Sequence, residues 1–181
     1  RDRSHDGDWV VMAFSRTHRV GVDVMQVALP HFEESSASFC RTMSSSMSRS
    51  EREWVAQGAS EADVLSRLYD VWTYKEALTK NMGLGLGYDF ARIDLRFGRD
   101  VRLARDGRAV DTYRFRELAL PCGASSRAPG SRVAIALGPR DAWEAPMSKQ
   151  AVPAQQAMDE GWLRMWTYDA WLDYAWAMSG V

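Results

Sequence analysis

The chain has few of the features that usually announce a function. Its 181 residues include two cysteines, Cys40 and Cys122. They lack metal-type or dithiol spacing, so neither a disulfide framework nor a thiolate metal centre is expected, and a reducing, cytoplasmic setting is. Charge of one sign is also missing. Lys and Arg total 23 against 24 Asp and Glu, a net charge of -1, which gives no footing for a nucleic acid or an acidic membrane surface as partner. No apolar run approaches the ~18 residues of a membrane span, and the first residues do not resemble a secretory signal. Phosphate-binding GxxxxGK[ST] loops and internal repeats are absent from the sequence as well.

What remains is the texture of a folded domain, 46% hydrophobic and 26% charged. Residues 9–15 (WVVMAFS) and 19–25 (RVGVDVM) are β-branched and flank a polar break, which predicts an antiparallel hairpin. In the second of these strands Val20, Val22 and Val24 take one face, and Gly21, Asp23 and Met25 the other. Residues 30–50 are Ser-rich and predict a loop with some helix. Ser48 and Glu51 have capping-box spacing, as do Ser60 and Asp63, and each pair opens a predicted helix. The second helix covers 61–82 and stops at Gly83. Strands are predicted at 93–97, at 101–105 and 108–115 around the Asp106-Gly107 turn, and at 132–137. The order is mixed α+β, without the alternation of a doubly wound sheet. Residues 1–138 read as one unit. Residues 139–156 read as a linker, and 157–178 carry four tryptophans that do not share one helical face, as in an extra packing helix or a poorly ordered tail, the alternative being a partner-binding or membrane-surface helix.

The chemistry concentrates in residues 71–87, VWTYKEALTKNMGLGLG. On a wheel of about 100° per residue, Leu65, Leu68, Tyr69 and Trp72 form a stripe, and Glu76 falls about 20° from Leu65. Lys80 lies at the edge of that stripe, and Lys75 on the other flank beside Val64 and Val71. A carboxylate on a core-facing stripe is costly unless a cation or hydrogen-bond donors meet it. The plain alternative is an intrahelical Glu76–Lys80 pair, worth about 0.3–0.5 kcal/mol, but such a pair does not need the apolar face. Asp23 is the second anomaly, because mid-strand Asp is disfavoured. It is either solvated or a ligand for a hard cation such as Mg²⁺, which prefers oxygen donors. Ser4-His5-Asp6 offers a hydroxyl and an imidazole for a phosphate, or simply a turn. Gly83 reads as the residue that ends the helix. Gly85 and Gly87 permit a sharp turn or a close approach to a ligand.

Together these segments resemble the 4′-phosphopantetheinyl transferases, specifically the surfactin-synthetase-activating type with its broad-range animal and fungal members. The resemblance rests on Ser4-His5 before a strand, on Gly21-Val22-Asp23, and on Trp72-x-x-Lys75-Glu76-Ala77-x-x-Lys80-x-x-Gly83-x-Gly85-Leu86, and it covers about residues 3–138. It implies an α+β half that is normally one of two in a pseudodimer, with the active site between the halves. It also implies an enzyme that uses Mg²⁺ and coenzyme A, moves the phosphopantetheine arm onto a serine of an acyl or peptidyl carrier protein, and releases 3′,5′-ADP. The carriers of such enzymes belong to fatty acid, polyketide, peptide or α-aminoadipate (lysine) synthesis. By motif position Asp23 and Glu76 are the expected metal ligands. Ser4, His5, Lys75 and Lys80 are expected at the phosphates of coenzyme A, with Glu76, Lys80 and His5 catalytic. Met25 stands where many bacterial members have a third acid, so Asp6 is the expected third ligand. Most of the first half is missing from the resemblance, and the chain is expected to be a fragment or truncated product. The complete enzyme is expected to be monomeric. A second expectation is a truncated relative that docks carrier proteins without catalysis.

Overall fold

Two short strands, β1 (Asp2–Asp6) and β2 (Trp9–Ala13), begin the chain. They turn at Gly7, where φ is +54°, and pair antiparallel with Ser4 opposite Val11 and His5 opposite Val10. The strand β3 (Val20–Gln26) follows. It does not form the predicted hairpin with β2. Its ladder is with β8 (Ser131–Leu137), Asp23 facing Ala134. The reason lies in burial: β3 is valine-rich and covered on both faces, which suits the main sheet, whereas every other residue of β2 is exposed. The structure is a computed structural model and describes residues 1–84, 87–99, 101–121, 130–139, 152–165 and 170.

The Ser-rich segment yields the helix α1 (Ser36–Met43), opened by a reciprocal Ser35–Ser38 capping box, and a 3-10 turn at Ser44–Ser46. The helix α2 (Arg49–Ala56) starts at the predicted Ser48–Glu51 box. The helix α3 (Glu61–Met82) starts at Ser60, whose side chain accepts from the Asp63 N–H. Asp63 does not complete that box; its carboxylate accepts from the Ala59 N–H instead. The helix stops where expected, at Gly83 with φ +74°.

A small sheet follows, made of β4 (Ile93–Arg96), β5 (Arg102–Arg105) and β6 (Arg108–Val110). Asp106 (φ +53°) and Gly107 (φ +74°) form the β5–β6 turn, both left-handed as a two-residue hairpin requires. The predicted strand at 108–115 is in fact two. β6 ends at Val110, and β7 (Arg114–Leu120) begins after a break and joins β8 in the main sheet. The main sheet has the order β3-β8-β7-β9, where β9 is Val152–Pro153 and pairs parallel with β7. The helix α4 (Ala154–Asp159) buries Ala154 and Ala157 against that sheet, with Trp162, Leu163 and Met165 beside them. Part of the segment read as a linker and tail therefore packs on the core. Cys122, Gly85, Leu86, most of residues 139–151 and the tryptophans at 166, 171 and 176 lie outside the described residues.

The sheet separates two apolar clusters. Val20, Val22, Val24, Leu118, Leu120 and Val133 meet the β2 side chains Trp9, Val11 and Ala13 on one face. On the other, Ala134, Ala136 and Phe115 meet Tyr74, Ala77 and Leu78 of α3. A third cluster joins α1 and α2 to the outer side of α3 through Phe39, Val55, Leu65, Leu68 and Val71. Close packing of α3 on β3 depends on Gly21. A Cβ there would sit 2.1 Å from the Ala77 carbonyl oxygen and 2.4 Å from the Asn81 nitrogen. The space that Gly21 leaves beside Asp23 is filled by the helix backbone. The Asn81 amide further ties α3 to β8, donating to the Ala136 carbonyl at 2.9 Å.

Candidate active site

Alternation along β3 sends Asp23 toward α3, and the helical repeat places Glu76 and Lys80 on the flank of α3 that meets it. Asp23 is 4% exposed. Its Oδ1 accepts from the Lys80 ammonium at 2.7 Å and from the Ser4 hydroxyl at 2.8 Å. Its Oδ2 is buried and has no hydrogen-bond partner among the described residues. Burial raises the Asp23 pKa above the ordinary carboxylate range, opposed by the Lys80 bond and charge, the Ser4 bond and the Val24 N–H. Glu76 is 7% exposed. Burial and then the charge of Asp23 raise its pKa, and Lys80 opposes them. No hydrogen bond steadies the Glu76 carboxylate among the described residues. Two buried acids thus face each other with one lysine between them and one oxygen unmatched.

Lys80 gathers the cluster. Besides Asp23, it donates to the Ser4 Oγ at 3.1 Å and to the Val22 carbonyl at 3.3 Å. Alternation also decides the fate of the Ser4-His5-Asp6 segment. Ser4 turns toward β3. His5, on the opposite face of β1, is exposed opposite Val10, so the structure does not bring it to Asp23 and Lys80. Asp6 shares the face of Ser4, but its Oδ2 accepts from the Gln26 N–H at 2.6 Å. Among the described residues no three His, Cys, Asp or Glu side chains gather closely enough to hold one ion, and Asp6 does not join Asp23 and Glu76 as a third ligand.

Lys75 departs from the phosphate contact expected of it. It is 1% exposed and lies on the side of α3 covered by α2 and the turn at Phe90–Arg92. Its ammonium meets the Glu51 carboxylate at 2.6 Å, the Ser46 carbonyl at 2.8 Å and the Phe90 carbonyl at 2.9 Å. Three oxygens satisfy its three hydrogens, leaving none for a phosphate. Glu51, fully buried, also accepts from the Ser48 and Leu95 N–H groups at 2.7 and 2.8 Å. Burial pulls both partners toward neutrality, raising Glu51 and lowering Lys75, and their mutual attraction opposes it. This network was missed in the sequence because Glu51 reads there only as the acid of a capping box.

The donor set at Asp23 and Glu76 fits a hard divalent cation. It is all oxygen, one atom is orphaned, and the two acids repel each other. Two carboxylates leave most of a Mg²⁺ shell open, as is usual where phosphates and water supply the rest.

The description "4′-phosphopantetheinyl transferase superfamily" matches residues 19–134, a span that holds Asp23, Glu76 and Lys80. The chain belongs to that superfamily. It is 36% identical over 126 residues to a 4′-phosphopantetheinyl transferase of Paxillus involutus, covering 63% of this chain and 46% of the relative. Identity to a phosphopantetheinyl transferase of Thraustochytrium sp. is 32% over 120 residues, 62% of this chain and 42% of the relative. Against an L-aminoadipate-semialdehyde dehydrogenase-phosphopantetheinyl transferase of Xenopus laevis the identity is 36% over 93 residues, 50% and 30% of the two chains. The chain thus spans less than half the length of the curated relatives it matches. The mixed helix and antiparallel-sheet architecture is that of the superfamily's α+β half.

Proposed function

We propose that this chain carries the catalytic half of a Mg²⁺-dependent transferase that moves 4′-phosphopantetheine from coenzyme A to a serine of an acyl or peptidyl carrier protein. The observation that carries the reading is the buried Asp23–Glu76 pair with its unmatched Oδ2, inside the region that defines the family. When bound, the metal would neutralise the pyrophosphate of coenzyme A between Asp23 and Glu76. Lys80, held at the rim by Asp23 and Ser4, is placed to offset charge on the phosphates. In the transfer the serine oxygen forms a bond to the phosphorus of the pantetheine phosphate. The bond from that phosphorus to the bridging oxygen breaks, its electron pair leaves with 3′,5′-ADP, and the serine proton passes to Glu76, directly or through a water. In this reading His5 meets a phosphate of coenzyme A on the exposed face of β1, away from the Asp23–Lys80 cluster, and Ser4 steadies Lys80.

The names of the animal relatives support an aminoadipate-semialdehyde dehydrogenase as one carrier. No helix among the described residues is long and apolar enough to cross a membrane. The scarcity of cysteine supports a cytoplasmic reaction, and in this reading the complete protein acts as a monomer that contains both halves. The test is incubation with apo carrier protein, labelled coenzyme A and Mg²⁺. Transfer of label that stops on removal of Mg²⁺ supports the reading. Carrier binding without measurable coenzyme A binding in isothermal titration would replace it with a non-catalytic docking role.

A further inference from the structure

The strand β1 runs beside the open edge of β3 but forms no ladder with it. Side chains make the connection instead. The Asp2 Oδ2 accepts from the Val22 N–H at 2.8 Å, and the Asp6 Oδ2 accepts from the Gln26 N–H at 2.6 Å. An edge strand normally exposes a row of unmatched amides, and here those of Val22 and Gln26 meet carboxylates of β1. The two acids are four residues apart on β1, and the two amides are four residues apart on β3. Midway between the acids, Ser4 reaches Asp23 at 2.8 Å and Lys80 at 3.1 Å.

We propose that Asp2 and Asp6 are positioning residues that clasp β1 to the edge of β3 and so fix Ser4 against Asp23 and Lys80. Asp6 then acts through an acceptor oxygen on a backbone amide, not through its charge on a metal. A strand ladder would lock β1 in register by its own backbone and leave its side chains free. The clasp uses two side chains and keeps the Ser4 hydroxyl aimed at the acid–lysine pair. The catalytic meaning of the clasp rests on the proposed transferase reading, but the clasp itself does not.

The test separates an acceptor from a charged ligand. An Asn side chain keeps the acceptor oxygen and loses the charge, whereas Ala loses both. Amide hydrogen exchange and Mn²⁺ binding are measured on the whole chain for Asp6→Asn and Asp6→Ala, neither requiring turnover. Asp6→Ala is expected to speed exchange at Gln26 about tenfold, the scale of losing a charge-assisted hydrogen bond, with the β8 amides unchanged. Asp6→Asn is expected to keep both the slow Gln26 exchange and the wild-type Mn²⁺ affinity. If Asp6→Ala does not fold, the Mn²⁺ affinity of Asp6→Asn decides alone. Unchanged Gln26 exchange in Asp6→Ala, or Mn²⁺ affinity about tenfold weaker in Asp6→Asn, would overturn the proposal. Loss of label transfer with both readouts normal would count against the transferase reading and not against the clasp.

Discussion

Lys75 and Glu76 are neighbours on one helix and about equally buried, yet their surroundings are opposite. Around Lys75 every polar atom is matched: three oxygens take its hydrogens, and Glu51 in turn accepts two backbone amides. Around Glu76 the matching stops short. Among the described residues its carboxylate has no hydrogen bond and a second acid beside it, and that acid has an orphaned oxygen. A closed network of buried charges holds elements in register, whereas an open one stores unmet electrostatic demand that a ligand can satisfy. The contrast divides a single Lys-Glu dipeptide into a half whose charge is matched and a half whose charge is not.

The largest expected effect lies on the closed side. Lys75→Met leaves Glu51 buried and uncompensated, and should destabilise the chain by about 3–5 kcal/mol. Adding Glu51→Gln should recover part of that loss, which a thermal-melt double-mutant cycle measures. Gly21→Ala should disturb both flanks together, since its Cβ would meet the helix backbone at 2.1 Å; a loss of about 3 kcal/mol is expected from such overpacking. On the open side the expected signs differ. Asp23→Asn or Glu76→Gln should each lower label transfer by more than about 100-fold, and in Glu76→Gln, which breaks no ion pair, the melting temperature should hold or rise because a buried repulsion is relieved. A fall in both activity and stability in Glu76→Gln would erase the distinction between the flanks.

The smallest effect concerns pH. Asp23 and Glu76 have raised pKa values in the folded chain. Their contribution to stability is present at low pH, where both states are protonated, and is lost as pH rises through the raised values. The metal-free chain should therefore lose this contribution as pH rises past the ordinary carboxylate range, and the stabilisation by Mg²⁺ should grow over the same rise as the acids ionise. At a Mg²⁺ concentration of about 100 times Kd the gain should reach about 2.7 kcal/mol in the wild type, and it should vanish in Glu76→Gln.

Much of this was legible before the fold. Capping boxes and Gly83 set the helices, because those signals are local. Asp23 and Glu76 stood out because each breaks a local rule, an acid mid-strand and an acid on an apolar stripe. The partner of β3 was not legible. Strand pairing across more than 100 residues depends on burial of whole faces, and the adjacent valine-rich segments favoured a local hairpin that the structure does not form. The buried surroundings of Lys75 were hidden for a related reason. From Leu68 to Asn81 the helix is buried on nearly every side, so a wheel built around one stripe hid the second buried flank. The strand β1 was read only as a lead-in to a strand, although Asp2, Ser4 and Asp6 at every second position already describe one polar face.

The central claim is that Asp23 and Glu76 together hold a divalent cation and that Lys75 does not take part. Mn²⁺ titration followed by electron paramagnetic resonance, with coenzyme A present, tests it directly. The account predicts one site in the wild type, lost in both Asp23→Asn and Glu76→Gln and kept in Lys75→Arg. A site that persists undiminished in both acid variants would contradict it.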